Sequence, residues 1–174
     1  MALQKDYDFN GIPVTNAYIR IYHNEGSKLK QTIRLSYHAT PTSDRFHEEQ
    51  YIFTPDLTGG TDGTGANFIK QGYDCLKAIH TFPISTIVDG QTIKVAGDVT
   101  AAVTLEAPHE IIISGSTSND GKKIATSATF DGTDTTLTLS TVTDDVTGPA
   151  DGDVKIGRIT PFTDYFSDAT DILE

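Results

Sequence analysis

The sequence predicts a mainly β protein with one or two helices (α+β): an antiparallel sheet plus helix scaffold carrying an inserted small β-sandwich or barrel domain. Three observations predict this class. Apolar and polar residues alternate through much of the chain up to about residue 60. One stretch, from 68 to 80, repeats its apolar residues at helical spacing. From residue 86 to 158 the texture changes to Thr, Ser, Gly and Asp, and an aromatic ending then returns.

The first region supplies the sheet. "NAYIRIYH" sets Ala17, Ile19 and Ile21 on one face and Tyr18, Arg20 and Tyr22 on the other. "QTIRLSYHA" repeats the pattern, with Ile33, Leu35 and Tyr37 against Thr32, Arg34 and Ser36. Period-two alternation of this kind means strands with one dry face. "NEGSK" between the runs has turn composition, so they form a hairpin. "ATPTSDRFH" is a longer connection to a third run, "EEQYIFTP".

A Gly-rich stretch, "GGTDGTG" at 59–65, cannot hold regular structure and leads into a helix. There Ile69, Tyr73, Leu76 and Ile79 or His80 recur at helical spacing, and Phe68 and Ala78 widen the stripe. This apolar face is expected to lie on the sheet.

The next region reads as many short strands. "TIKVAG", "TAAVTLE", "EIIIS", "KIATSATF", "TTLTLSTV" and "DVKIGRI" are divided by "DG", "APHE", "SNDG", "DGTD" and "DGD". Short strands at close spacing, separated by turn residues, suggest a small sandwich or barrel. Thr suits an exposed sheet face because it is β-branched and half-polar. "TPFTDYFSDATDILE" then resumes the aromatic texture, and "SDATDILE" is expected to open a short helix capped by Ser167 or Asp168. Residues 1–85 and 159–174 are therefore expected to form the scaffold, and 86–158 the inserted domain.

Charge excludes some functions. The net charge is −11, and up to residue 50 six cations balance six carboxylates, so the whole acidic excess lies beyond. An acidic surface repels nucleic-acid phosphate and anionic membrane alike, so neither is an expected partner. No apolar run approaches the roughly 18 residues of a membrane span. "MALQKDYDFNG" lacks the apolar centre of a secretion signal, so synthesis in the cytoplasm is expected. A single cysteine, Cys75, excludes an internal disulfide and a cysteine-based zinc site.

The candidate chemical sites read as architecture. In "SNDG", Ser116, Ser118, Asn119 and Asp120 offer oxygens to calcium, but the D-x-D-x-D-G spacing is missing. Asn and Gly are the residues a chain reversal with positive φ requires. Asp131, Asp134, Asp144, Asp145, Asp151 and Asp153 gather among Gly and Thr, where charge runs are solvated turns. Cys75 falls near the buried stripe of the helix and acts as a small apolar filler. "HEEQ" at 47–50 is not H-E-x-x-H, because position 51 is Tyr. "GGTDGTG" lacks the Lys-Ser/Thr of a phosphate loop. No nucleophile, base and orienting group assemble, so no catalytic residue, no cofactor and no metal is expected, and the protein is expected not to be an enzyme.

Two sets of motifs carry a resemblance. "YIFTPDL", "NFIKQGYDCLKAI" and "PFTDYFSDATDILE" resemble small tailed-bacteriophage virion proteins of the tail or baseplate type. That resemblance covers roughly the first 85 residues and the last 15, on either side of the Thr-rich region. Within it, "EIIISGSTSNDGKKIATSATFDGTDTTLTLSTVTDDVTGPADGDVKIGRI" is similar to a small β module of phage capsid, tail and baseplate proteins. It departs from that module's pattern at "KKIATS". The resemblance implies a virion location, other phage virion proteins as partners, and a symmetric homo-oligomer in the particle. It implies a structural role at the tail tip, baseplate or fibre attachment. Capsid decoration and receptor or glycan binding are the alternatives. A sugar site needs an aromatic platform, and within 86–158 the only aromatic is Phe130.

A packing role needs a contact surface. If Ile19, Ile21, Ile33 and Leu35 face inward, Tyr18, Arg20, Tyr22 and Arg34 face outward. Aromatic and Arg side chains are enriched at interfaces, so these four are the candidate interface residues.

Overall fold

A computed structural model describes residues 1–27, 29–55, 57, 67–105, 108–140 and 146–172. The elements in chain order are β1 (Ala2–Phe9), β2 (Ile12–Gly26), β3 (Gln31–His38), β4 (Arg45–Phe53) and α1 (Phe68–Lys77). They continue with β5 (Ile79–Asp89), β6 (Thr92–Ala96), α2 (Val99–Ala102), β7 (His109–Ser114) and β8 (Gly121–Phe130). The last are β9 (Asp134–Leu139), β10 (Asp153–Gly157), β11 (Ile159–Thr160) and β12 (Thr170–Ile172). The protein is mainly β, with antiparallel sheets, a closed barrel and two helices among the described residues. It divides into two compact units, residues 1–78 with 164–174 and residues 79–163.

In the first unit the strands run β4-β3-β2-β1-β12, each pair antiparallel. β1 lies ahead of the alternating runs, and a strong local signal joins it to β2. Phe9 pairs with Ile12 across Asn10 and Gly11, which have φ of 53° and 83°. That is the backbone a two-residue hairpin needs, and Asn-Gly is the pair that adopts it most readily. Asp8 Oδ1 accepts from the Gly11 N–H at 2.7 Å and secures the turn. The dry face collects Leu3, Ile19, Ile33, Leu35, Tyr37 and Phe53, each at most 2% exposed.

Helix α1 starts where Asn67 caps it, its side chain accepting from Lys70 N at 2.9 Å. Gly72, Tyr73, Cys75 and Leu76 are its buried residues. At Gly72 a Cβ would lie 2.9 Å from Ile21 Cδ1 and 3.2 Å from Ile33 Cγ2, so the helix rests directly on β2 and β3. Cys75 is buried, at 3% exposed. Ile69 departs from expectation: it is 47% exposed. The first turn reaches the end of the sheet, where Ile69 and Phe68 border an open groove with Asn24, Gly26 and Gln31. Ile79 and His80 also leave the stripe, because the helix ends at Lys77 and they begin β5.

The ending forms no helix at Ser167 or Asp168. Residues 165–168 make a turn and Thr170–Ile172 adds a strand to β1. Asp168 is taken by the Lys5 ammonium, which also donates to Tyr165 O and lies 4.5 Å from the Tyr165 ring centroid. Long-range pairing with β1 thus overrides the local helix signal.

The second unit is a closed antiparallel barrel in the order β10-β5-β6-β9-β8-β7. Its interior is aliphatic: Ile84, Ile93, Val95, Ile111, Ile113, Leu137, Leu139, Val154 and Ile156 meet in one cluster. Closure removes the exposed edges an open sheet would present. The barrel begins earlier than the texture change suggested, because Ile79–Pro83 pairs with β10. It also extends past Gly157, where Glu110 accepts from the Phe162 N–H at 2.6 Å.

Of "TAAVTLE", expected as a strand, Thr100–Ala102 instead lie in α2. Asp98 caps that turn by accepting from Ala101 N at 3.0 Å, and Val99 and Val103 join the barrel core. The fully buried Thr135 hydroxyl donates to Gly97 O at 2.7 Å and accepts from Val99 N at 3.0 Å. That exchange stabilises the bend where the chain leaves β6.

Candidate interface

The outer face of β2, β3 and β4 is ordered in cross-strand rows. Tyr18 pairs with His38 and His38 with Arg45; Arg20 pairs with Ser36 and Ser36 with Glu48; His23 pairs with Arg34 and Arg34 with Gln50. Residues directly opposite in an antiparallel pair share a face. A bulge between Ile21 and His23 interrupts β2 at Tyr22. Bulges tilt side chains out of the regular alternation. The Arg45 guanidinium lies 5.5 Å from the Tyr22 ring centroid, so Tyr22 belongs to the outer face.

Arg20, Tyr22 and Arg34 are exposed there, in the orientation the alternation predicts. Tyr18 is not: it is 2% exposed, with Ser36 and His38 also buried beside it. The connection after β3 folds back, and His38 Nδ1 sits 2.8 Å from Ser43 O while Nε2 sits 2.9 Å from Ser36 Oγ. Tyr18 meets His38 edge-on, and its hydroxyl has no hydrogen-bond partner. Alternation separates the two faces of a strand; it does not say which end of a face another segment covers.

The exposed part is a set of charged and aromatic groups. Arg45 is ion-paired with Glu48, Arg34 with Glu25 at 3.5 Å, and His23 Nε2 lies 3.4 Å from Glu25. Arg20 forms no ion pair among the described residues. Arg45 was missed by the sequence argument because it opens its strand beyond a loop. Only the rows of the sheet bring it to Tyr22.

The opposite face of the same strands holds a polar cluster in an aromatic setting. Tyr37 donates to Glu49 Oε2, Tyr51 donates to the same oxygen at 2.7 Å, and His47 Nε2 lies 3.3 Å from Oε1. The Tyr7 ring stacks on His47 at 5.4 Å and meets Tyr37 at 4.7 Å. Burial first, then the Glu49 charge, raises the Tyr37 hydroxyl far above the ordinary tyrosine range. Burial and the hydrogen bond to Glu49 raise Tyr51 as well. Both phenols therefore stay protonated and act as donors, the opposite of what a phenolate nucleophile requires. The signal was present as "HEEQY" on alternate positions 47, 49 and 51, but only β3 supplies Tyr37.

In the barrel, the turn residues hold one another. Asp120 accepts from Ser116 N at 2.7 Å, and Asn119 spans to Thr147, accepting from its N–H at 2.8 Å and donating to its carbonyl at 2.9 Å. Asp151 accepts from the hydroxyls of Ser116 and Thr117. Asn119 and Asp120 of "SNDG" thus hold the connection between β7 and β8 by hydrogen bonds. Asp131 accepts from Thr133 N and Asp134 N and pairs with Lys94 at 3.2 Å. Those bonds hold its carboxyl down at about 2. Asp144, Asp145 and the "GGTDGTG" stretch lie outside the described residues. Among the described residues no group of three or more His, Cys, Asp or Glu is placed to hold a metal ion. No helix among them is long and apolar enough to cross a membrane.

No family model matches the sequence, and neither a curated protein nor a solved structure matches the chain.

Proposed function

We propose that the chain is a non-enzymatic structural component of a tailed-bacteriophage particle, placed at the tail tip, baseplate or fibre attachment and acting by protein–protein packing. The observation that carries this reading is the outer face of β2–β4. It presents Arg20, Tyr22, Arg34 and Arg45 on a sheet whose other face is already occupied by its own core. Tyr and Arg are the side chains that dominate binding at protein interfaces, because each buries much area and forms directed polar contacts. The closed barrel adds a second unit whose interior is filled by its own aliphatic residues. In the proposed role, repeated copies add small contacts through multivalency.

Mass spectrometry of purified particles tests this. Peptides of this chain at the copy number of a tail component are expected. A copy number on the scale of the capsid subunits would move the protein to capsid decoration. Its absence from purified particles would end the reading.

A further inference from the structure

We propose that the Arg20–Tyr22–Arg34–Arg45 face of one copy docks against the acidic loop end of the barrel of a second copy, head to tail. The proposal rests on the packing role above and names the partner of that surface.

Charge complementarity within one sequence is the basis. The chain has net charge −11 and only four arginines, and three of them, Arg20, Arg34 and Arg45, stand on this face. Glu25 and Glu48 engage Arg34 and Arg45, which leaves Arg20 without an ionic partner among the described residues. Three arginines against Glu25 and Glu48 leave this face one positive charge in excess, on a molecule of net charge −11.

The barrel supplies the matching surface. Between residues 79 and 163 there are eleven carboxylates against five cations. Chain entry and exit share one end, because Ile79 pairs with Gly157. The opposite end is built from the turns at 89–91, 115–120 and 146–153. Hydrogen bonds from Val146 N to Gly90 O at 2.8 Å, from Thr147 N to Asn119 and from Ser116 to Asp151 bind these turns together. They carry Asp89, Asp120, Asp151 and Asp153 and contain no Lys or Arg. Asp89 and Asp120 are exposed. Hydrogen bonds also hold the Asp89 and Asp151 carboxyls below the ordinary carboxylate range. A guanidinium fork pairs with such carboxylates in a fixed planar geometry, which a lysine would not impose.

Contact between two different surfaces of one chain is heterologous. It closes into a ring or propagates as a filament, according to the rotation per copy.

Sedimentation and light scattering of the full chain provide the test. In about 0.1 M salt the wild type is expected to run as a multiple of its 18.8 kDa monomer. It should dissociate toward about 1 M, where the screening length falls from about 10 Å to about 3 Å. Arg20→Glu and Asp120→Lys should each give monomers with unchanged circular dichroism, and mixing the two variants should restore association. Arg34→Glu serves as a second variant of the same face. A wild type that is monomeric at every salt concentration overturns the proposal. So does an oligomer indifferent to both reversals, which would assign the face to another acidic partner or to none. Either result leaves the particle measurement above standing by itself.

Discussion

The Tyr73 hydroxyl accepts a hydrogen bond from the Ile21 backbone N–H at 2.7 Å, so a helix side chain completes a strand's hydrogen bonding where the β2 bulge begins. Both residues are buried, Tyr73 at 1% exposure. One contact therefore fixes where α1 sits along the sheet and satisfies a backbone donor that water cannot reach.

Tyr73→Phe keeps the ring and removes the acceptor. A buried unpaired donor costs about 1–3 kcal/mol. Denaturant unfolding should show a lower midpoint by that free energy with little change in slope. A variant as stable as the wild type would mean that the bulge relaxes to pair the Ile21 N–H elsewhere.

The helix stripe gives a paired prediction. Ile69→Asp should be tolerated, because Ile69 is 47% exposed, and its effect should stay within about 0.5 kcal/mol. Leu76→Ala, at a fully buried position, should cost about 2–5 kcal/mol. Thermal melts of the two variants compare them directly. Equal losses would place the first turn of the helix against the sheet after all.

Acid should weaken the barrel through Asp131. Its carboxyl is held at about 2 against an ordinary 3.8, chiefly by the backbone N–H groups of Asp134 and Thr133 and then by Lys94. A depressed value stabilises the fold above the ordinary pKa, and that contribution disappears as pH falls from 3.8 toward 2. Asp131→Asn should be less stable than wild type at neutral pH, and the gap between them should close across that window. A gap independent of pH, followed by thermal melting from neutral to acid, would show that the charge contributes nothing.

Residues 79–163 expressed alone should unfold in one cooperative transition with β-rich circular dichroism, because the aliphatic cluster is contained within them. Within that barrel, Gly152 has φ of 82°, and an added Cβ would meet Ser116 N at 2.7 Å and Ser114 O at 2.8 Å. Those are backbone atoms that cannot rotate away. Gly152→Ala should therefore lower stability by about 1–3 kcal/mol, the range of a strained backbone position. An unaffected melting temperature would contradict the turn geometry.

Most strands were legible because alternation is local. "EIIIS", "TTLTL" and "NAYIRIYH" announce their buried faces residue by residue, and the structure places them in β7, β9 and β2. The elements that misled were those governed by distant partners. "TAAVTLE" has strand composition, but the Asp98 cap and the Thr135 hydroxyl stabilise a helical turn there. "SDATDILE" has a cap and an acidic start, but pairing with β1 draws Thr170–Ile172 into a strand. In the candidate interface the outward placement of Arg20 and Arg34 follows from parity alone. The burial of Tyr18 and the arrival of Arg45 beside Tyr22 do not, since both depend on how β3 and β4 return.

The sequence by itself determined the β-rich class, the single apolar helix face, the acidic balance and the outward parity of Arg20 and Arg34. Each is a property of neighbouring residues, set by the period of a strand or helix or by simple charge. Only the tertiary structure decided that the Thr-rich strands close into a barrel and that the helix seats on Ile21 through Tyr73. It also decided that Glu49 gathers two tyrosines and that Tyr18 is covered. These depend on register and on contacts between residues far apart in the chain, which local periodicity does not encode.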